Sequence, residues 1–393
     1  MSYRILTLNN ISLRGLEKLP RERYEVASEL TQPHGVLVRS ADMHKFAIPD
    51  SLLAVARAGA GTNNIPVALL SARGIPVFNA PGANANAVKE LVLAGLFLAA
   101  RNICQAWNYA RSLEGDDHAL DLAVEKDKKN FIGFELPGRT LGVIGLGAIG
   151  VEVANTAQAL RMNVLGFDPQ ITVQRAWQLS STVQQALSLD DLFARADMLS
   201  VHVPLNEQTR GLVNAARLKL LRPGGVLLNF ARAQIVSETA VVAALDAGHL
   251  HAYICDFPSN ALKNHPRAIT LPHLGASTGE AEDNCAAMAA DTLRDFLENG
   301  NVRNSVNFPE AVLPRIPGTM RLAIANSNVP NMVGQISTCL ASASINIADL
   351  LNKSRGEYAY TLIDTDGVID ESLISRIGQI KGVLSARIVQ QLP

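Results

Sequence analysis

The chain of 393 residues is poor in cysteine: Cys104, Cys255, Cys285 and Cys339 lie scattered, with no C-x-x-C pair among them. That spacing argues against a disulfide framework and a structural zinc site, so no metal is expected, and it fits a reduced compartment. Excess charge of either sign is also missing, since 35 Lys and Arg nearly cancel 36 Asp and Glu. Without a basic footprint, neither nucleic acid nor an anionic membrane is an expected partner, and a small molecule is. Long apolar runs are absent too; the longest, Leu91 to Ala100, is about half of what crosses a bilayer. The opening "MSYRILTLNNIS" reads as a strand rather than a signal peptide, and the expected location is the cytoplasm.

What the chain does contain is alternation. Short apolar runs, "YRILTLN", "GVLVRSA", "LLAVARAG" and "IPVFNAPG", alternate with helical patterns over the first ninety residues, as parallel strands with crossover helices do. "NAVKELVLAGLFLAAR", Asn86 to Arg101, is expected as one helix, apolar almost all round and therefore buried. The charged stretch "EGDDHALDLAVEKDKKNF" is expected as an exposed, irregular excursion. A second α/β series opens at Gly138, with strands in "TLGVIGLG", "NVLGFD", "MLSVHVP", "GVLLNFA", "HAYICDF" and "AITLPHLG". Ser188, with Asp190 and Asp191 behind it, marks the capped start of one of its helices. "FPEAVLPRIPG" carries three prolines and reads as a stiff linker. The remaining seventy or so residues read strand, helix, strand, strand, helix, strand, the ferredoxin-like order.

"LGVIGLGAIG" places Gly145, Gly147 and Gly150 in G-x-G-x-x-G spacing where a strand turns into a helix. The first glycine permits the turn, the second lets backbone approach a pyrophosphate, and the third lets helix and strand pack closely. Unpaired N–H groups at the helix start then face the phosphates. Asp168 closes the next strand, 18 residues after Gly150, near the position of the carboxylate that binds the adenosine ribose and repels a 2′-phosphate. NAD is therefore the expected cofactor.

Three further strand ends carry chemistry: Arg232 in "LLNFARAQIV", Asp256 in "ICDFPSN" and His273 in "LPHLGAST". In an open parallel sheet such ends converge on the ligand crevice. A guanidinium there grips a carboxylate, and an imidazole exchanges a proton with an alkoxide. Burial of an arginine at a strand end is costly without such a role. "ARAGAGTNNIP", "FNAPGANANAVKE", "LGVIGLGAIG", "LSVHVPLNEQTRGLVN", "LRPGGVLLNFARAQIV" and "PHLGASTGEAEDNCA", in that order, give a chain that resembles the D-isomer-specific 2-hydroxyacid dehydrogenases over almost its whole length. Within that family it looks like the branch that acts on 3-phosphoglycerate at the start of serine synthesis.

The resemblance implies a Rossmann-type, doubly wound nucleotide domain (91–279) inserted in a flavodoxin-like α/β substrate domain (1–90 and 280–308). A linker (309–317) and a ferredoxin-like ACT regulatory domain (318–393) follow. It implies that Arg232 binds and polarises the 2-hydroxy or 2-oxo acid and that His273 is the acid/base. Ala58 and Gly59 match the loop at the substrate carboxylate, Arg39 and Ser40 the loop at a substrate phosphate, and Asn84 a position near the substrate. Ala148 and Ile149 match the backbone at the pyrophosphate, and Asp256, or its neighbour Cys255, the contact to the nicotinamide carboxamide. His202, Phe230, Ala231 and Gly275 are further expected cofactor contacts, with His202 peripheral or structural. Asn328 and Asn346 match asparagines that hold L-serine in ACT domains, although Asn326 and Asn331 replace the histidine and glycine usual there. A homodimer is implied, with the helix beginning near Asn86 at its interface.

One charge is missing. The family's glutamate that orients the histidine aligns with Asn260 in "DFPSNALKNHP", an amide that can hold the ring but adds no negative charge. Asn260 is therefore the expected partner of His273, and Glu280 or Glu282 the alternatives. Two other readings stand beside NAD-dependent oxidation of 3-phosphoglycerate: a hydroxypyruvate or glyoxylate reductase, and a catalytically weakened protein that senses NAD and an amino acid.

Overall fold

The computed structural model describes residues 2–389, which form two compact units. One is built from residues 2–84 and 279–389, the other from Ala85–Thr278.

The first unit contains a parallel sheet of β1 (Tyr3–Leu8), β2 (Tyr24–Ala27), β3 (Gly35–Val38), β4 (Ala54–Arg57) and β5 (Val77–Phe78), in the order β2-β1-β3-β4-β5. That is the flavodoxin-like order. The four residues of β3 are all buried, as a strand covered on both faces requires. β2 has no counterpart among the expected strands; it is four residues long and lies at the sheet edge.

The second unit holds a seven-stranded parallel sheet: β6 (Thr140–Ile144), β7 (Asn163–Phe167), β8 (Gln184–Gln185), β9 (Met198–Val201), β10 (Gly225–Asn229), β11 (Leu250–Cys255) and β12 (Ala268–Thr270). Its order, β12-β11-β10-β9-β6-β7-β8, winds outward in both directions from β6, so the switch point lies between β6 and β9, where such sheets bind dinucleotides. The apolar helix runs Ala85–Ala100 and buries the stripe Val88, Val92, Leu96 and Ala99. It is not buried all round, since Phe97 is 41% exposed. The stretch expected to be irregular contains a helix, Asp117–Asp127, whose N-cap Asp116 accepts a hydrogen bond from the Ala119 N–H at 2.9 Å. The cap and the helix formers in "ALDLAVEK" outweigh the high charge.

A third sheet, antiparallel, lies in the first unit: β13 (Met320–Ser327), β14 (Ile347–Arg355), β15 (Tyr358–Thr365) and β16 (Val383–Val389), in the order β14-β15-β13-β16. Helices Met332–Ser342 and Glu371–Gly378 complete the ferredoxin-like pattern. One face of this sheet, through Ala323, Ala325, Tyr360, Leu362 and Val389, joins the same apolar core as Ile5, Phe78, Phe296 and Phe308. Ala311 and Leu313, in the proline-rich segment, are buried as well.

Candidate active site

In the second unit the glycine-rich turn follows β6. Gly145 has φ +89°, and a Cβ there would lie 2.7 Å from the His202 carbonyl oxygen, so close packing against the end of β9 demands glycine. A Cβ on Gly150 would stand 1.9 Å from the Gly145 carbonyl oxygen. Gly147, by contrast, is exposed and has nothing within 4 Å of its Cβ position. It precedes helix Ala148–Ala159 without any side-chain cap, leaving the first N–H groups of that helix open. Two tight glycines and one open one give a backbone that a pyrophosphate can approach, so the residues present fit a dinucleotide.

Asp168 follows β7. One carboxylate oxygen accepts from the Leu146 N–H at 2.8 Å, the other from the Gln170 N–H at 2.9 Å. The half-buried carboxylate is thus pinned to the glycine turn, with lone pairs left for ribose hydroxyls. His202, after β9, pairs through Nε2 with Ser200 Oγ at 2.8 Å. Desolvation of its ring pushes its pKa down to about 3, so the imidazole is neutral, which suits a structural role and not a proton donor at neutral pH.

Beyond β10 the loop Phe230, Ala231, Arg232 is shaped by Asn229, fully buried. Its Oδ1 accepts from the Ala231 N–H at 3.1 Å and its Nδ2 donates to the Arg232 carbonyl at 2.9 Å. Arg232 itself is exposed, and its Nη1 donates to the Ala231 carbonyl at 2.6 Å. The burial argument for this arginine therefore fails; the loop geometry presents it to solvent. Phe230 is buried at 7% exposure.

Asp256, next to the end of β11, is 1% exposed. Its two oxygens accept from the Leu274 N–H at 2.8 Å and the Gly275 N–H at 2.7 Å. The carboxylate is turned to the histidine turn, while the Cys255 thiol faces the Phe257 carbonyl. His273 is exposed and has φ +57°, a left-handed conformation uncommon for a residue with a Cβ. The edge of its ring meets Phe257, centroids 5.4 Å apart and planes 70° apart. Asn260 is exposed, and among the described residues no hydrogen bond joins it to His273. The expected pairing of Asn260 with His273 is therefore corrected: the neighbours of the histidine turn are Phe257 and Asp256.

In the first unit Arg39 follows β3 and pairs with Glu282, so Glu282 has a partner of its own. Asn9, at φ +71°, accepts from the N–H groups of Ser40 and Ala41 and holds that loop. In the loop expected at the substrate carboxylate, the Ala58 N–H donates to the Val38 carbonyl at 2.8 Å, continuing the strand ladder, and the Gly59 N–H closes a tight local turn on the Arg57 carbonyl at 2.9 Å, so both donors are engaged. Among the described residues no hydrogen bond engages the N–H groups of Ala60 and Gly61, one turn further along. Arg57, which drew no notice in the sequence, sends its Nε to the Arg39 carbonyl at 3.0 Å. Its Nη1 lies 2.6 Å from the Cβ position of Gly59. Its place in "ARAGAG", one residue before the loop, was the signal. Asn84 is half-buried in the turn that ends this part of the unit.

In the antiparallel sheet, Asn328 follows β13 and donates to the Gly356 carbonyl at 3.0 Å, while Asn346 precedes β14 and donates to Asp366 at 2.8 Å. The register pairs Ser327 and Arg355 with Tyr358, and Met320 and Ile347 with Thr365. The two asparagines therefore sit at opposite ends of one sheet.

The family description "D-isomer specific 2-hydroxyacid dehydrogenase, NAD binding domain" matches residues 93–275. The D-3-phosphoglycerate dehydrogenase of Haemophilus influenzae is 32% identical over 357 residues, covering 86% of this chain and 81% of that protein. The protein of the same name from Archaeoglobus fulgidus is 35% identical over 311 residues, covering 75% of this chain, which spans only 56% of that longer relative. Among solved structures, NAD+-bound 3-phosphoglycerate dehydrogenase from Entamoeba histolytica aligns with TM-score 0.60 and 26% identity over 78% of this chain and 99% of that one. D-mandelate dehydrogenase from Rhodotorula graminis, 22% identical, shares the fold with TM-score 0.67 over 80% of this chain and 100% of that one. With this glycine turn, Asp168 and the strand-end Arg232 and His273, the chain belongs to the NAD-dependent D-isomer-specific 2-hydroxyacid dehydrogenase family.

Proposed function

We propose that the protein oxidises 3-phospho-D-glycerate to 3-phosphohydroxypyruvate, the step that opens L-serine synthesis. The observation that carries this reading is that Arg57 Nε donates to the backbone carbonyl of Arg39 at 3.0 Å, which brings two arginines onto one loop system, with Glu282 paired to the Arg39 guanidinium. Two cations on one loop system suit a phosphate dianion better than any group of an unphosphorylated hydroxy acid. Relatives named for this activity support it. Ala60 and Gly61 are assigned the substrate carboxylate through their N–H groups, and Arg232 grips and polarises the reacting end. Bound NAD supplies the hydride acceptor. His273 takes the proton of the C2 hydroxyl on its imidazole, while the separate hydrogen on C2 departs with its electron pair as the hydride that bound NAD would accept.

The test is steady-state oxidation of 3-phosphoglycerate against glycerate, in wild type and Arg57→Ala. Loss of about 100-fold in kcat/KM for the phosphorylated acid alone supports the reading. Equal losses on both acids, or wild-type preference for glycerate, overturn it in favour of a reductase of unphosphorylated acids.

The ferredoxin-like sheet is assigned as an ACT domain. Because Asn328 and Asn346 lie at opposite ends of the sheet, one L-serine cannot touch both within a chain, and an effector site made of them takes Asn328 from one copy and Asn346 from another. The helix Ala85–Ala100, with Phe97 41% exposed, and Trp107, 57% exposed on the helix that follows, are assigned to a homodimer contact. Sedimentation with and without L-serine checks both assignments.

A further inference from the structure

We propose that Asp256 is the positioning residue of His273, acting through the backbone in place of the carboxylate that position 260 lacks. This rests on the assignment of proton transfer to His273.

His273 holds a left-handed backbone, φ +57°, and its N–H donates to the Leu271 carbonyl at 3.0 Å. A residue with a Cβ stays in that conformation only where its surroundings hold it. Here the next two N–H groups, of Leu274 and Gly275, converge on the two oxygens of Asp256 at 2.8 and 2.7 Å. Gly275 leaves room for this, since a Cβ on it would stand 3.1 Å from Asp256 Oδ2. A carboxylate that is 1% exposed and has no salt bridge among the described residues is costly to bury unless its acceptors are satisfied. The two donors that satisfy it belong to the turn of the acid/base. An asparagine of the same shape would set its NH2 against one of the two N–H groups, so the site calls for an anion.

The link reaches the other strand end. The N–H of Asp256 donates to the Asn229 carbonyl at 3.3 Å, and the Asn229 side chain shapes the Ala231–Arg232 loop through bonds of 3.1 and 2.9 Å. One run of hydrogen bonds thus connects the loop of Arg232 with the turn of His273. The Asp256 carboxylate lies under the histidine turn, where its two oxygens fix the backbone that follows the imidazole.

Asp256→Asn tests this in the full chain, with NADH binding by fluorescence titration, kcat across pH and thermal melting. We expect an NADH Kd within about twofold of wild type, kcat lower by about 100-fold, and the acid limb of hydroxyacid oxidation moved to lower pH by about half a unit or more. A kcat within about threefold of wild type overturns the proposal. So does a rise in NADH Kd that accounts for the loss, which would make Asp256 a carboxamide contact. A loss equal at every pH also overturns it, being mere loosening. If Asp256→Asn does not fold, Gly275→Ala crowds the same carboxylate, and the same shifted limb is expected; an unmoved limb overturns the proposal. The ratios are taken on whichever 2-hydroxy acid wild type turns over. Failure on 3-phosphoglycerate sinks only the substrate reading, whereas an active His273→Gln overturns the acid/base assignment and this proposal with it.

Discussion

Gly147 and Gly150 stand three residues apart in one turn and carry opposite constraints. The Cβ position of Gly147 is open, whereas that of Gly150 is 1.9 Å from the Gly145 carbonyl oxygen. Gly147→Val is expected to melt like wild type yet lose about tenfold or more in NAD affinity, because its side chain fills the path of the pyrophosphate. Gly150→Ala is expected to lower the melting temperature instead, since helix and strand must separate; calorimetry and NAD titration on both variants check the contrast. His202, its pKa pushed down to about 3 by desolvation, binds a proton in the unfolded chain at higher pH than in the folded one. Stability from its neutral form is therefore complete above pH ~6.5 and lost as pH falls from there towards 3. His202→Gln should flatten that part of the acid denaturation curve. Asn260 is exposed and, among the described residues, no hydrogen bond joins it to His273, so Asn260→Ala should leave kcat within about twofold.

At the scale of elements, helix Gly279–Asn299 joins two charged sites of the first unit. Its first turn carries Glu280 and Glu282, favourable at the positive end of the helix dipole, and Glu282 is the partner of Arg39. At its other end the Asn299 carbonyl accepts from Arg321 at 3.0 Å. Arg321 is fully buried; it also grips both oxygens of Asp364 at 2.6 and 2.7 Å and donates to the Leu313 and Pro314 carbonyls. All five guanidinium donors are thereby used, which is what makes a fully buried arginine tolerable. Arg321→Met, which strands Asp364, is expected to cost about 3–5 kcal/mol, and the double variant Arg321→Met/Asp364→Leu markedly less. Thermal melting of the three proteins decides this. The proline-rich segment beside it was legible as a stiff connection, but its burial was not, because the carbonyls of Leu313 and Pro314 are fixed by an arginine seven or eight positions further on.

At the scale of the whole molecule, two parallel sheets of different winding and one antiparallel sheet are distributed over two units. The antiparallel sheet shares an apolar core with the first parallel sheet, through Tyr360 and Leu362 on one side and Phe296 and Phe308 on the other. Ending the chain at 317 would bare that core, so the truncated protein is expected to aggregate or to expose dye-binding apolar surface. Solubility and dye fluorescence of residues 1–317 measure it; a soluble, monodisperse fragment with wild-type melting would show that the shared core contributes little.

Alternating apolar runs, the glycine spacing and the strand-end Arg232 and His273 are local patterns, and from them the sequence by itself determined the fold class, the dinucleotide turn and the placement of Asp168 at the end of the next strand. Local periodicity suffices there because strand, turn and helix are neighbours along the chain. What only the tertiary structure decided are pairings between distant residues: Arg39 with Glu282, Arg57 with the Arg39 carbonyl, Arg321 with Asp364, and Asp256 under the turn of His273. A hydrogen bond between residues 18 or more positions apart depends on sheet register and on which face a side chain takes at a strand end. Where one slip of register exchanges Cys255 for Asp256, only the folded chain settles which of them faces the histidine turn.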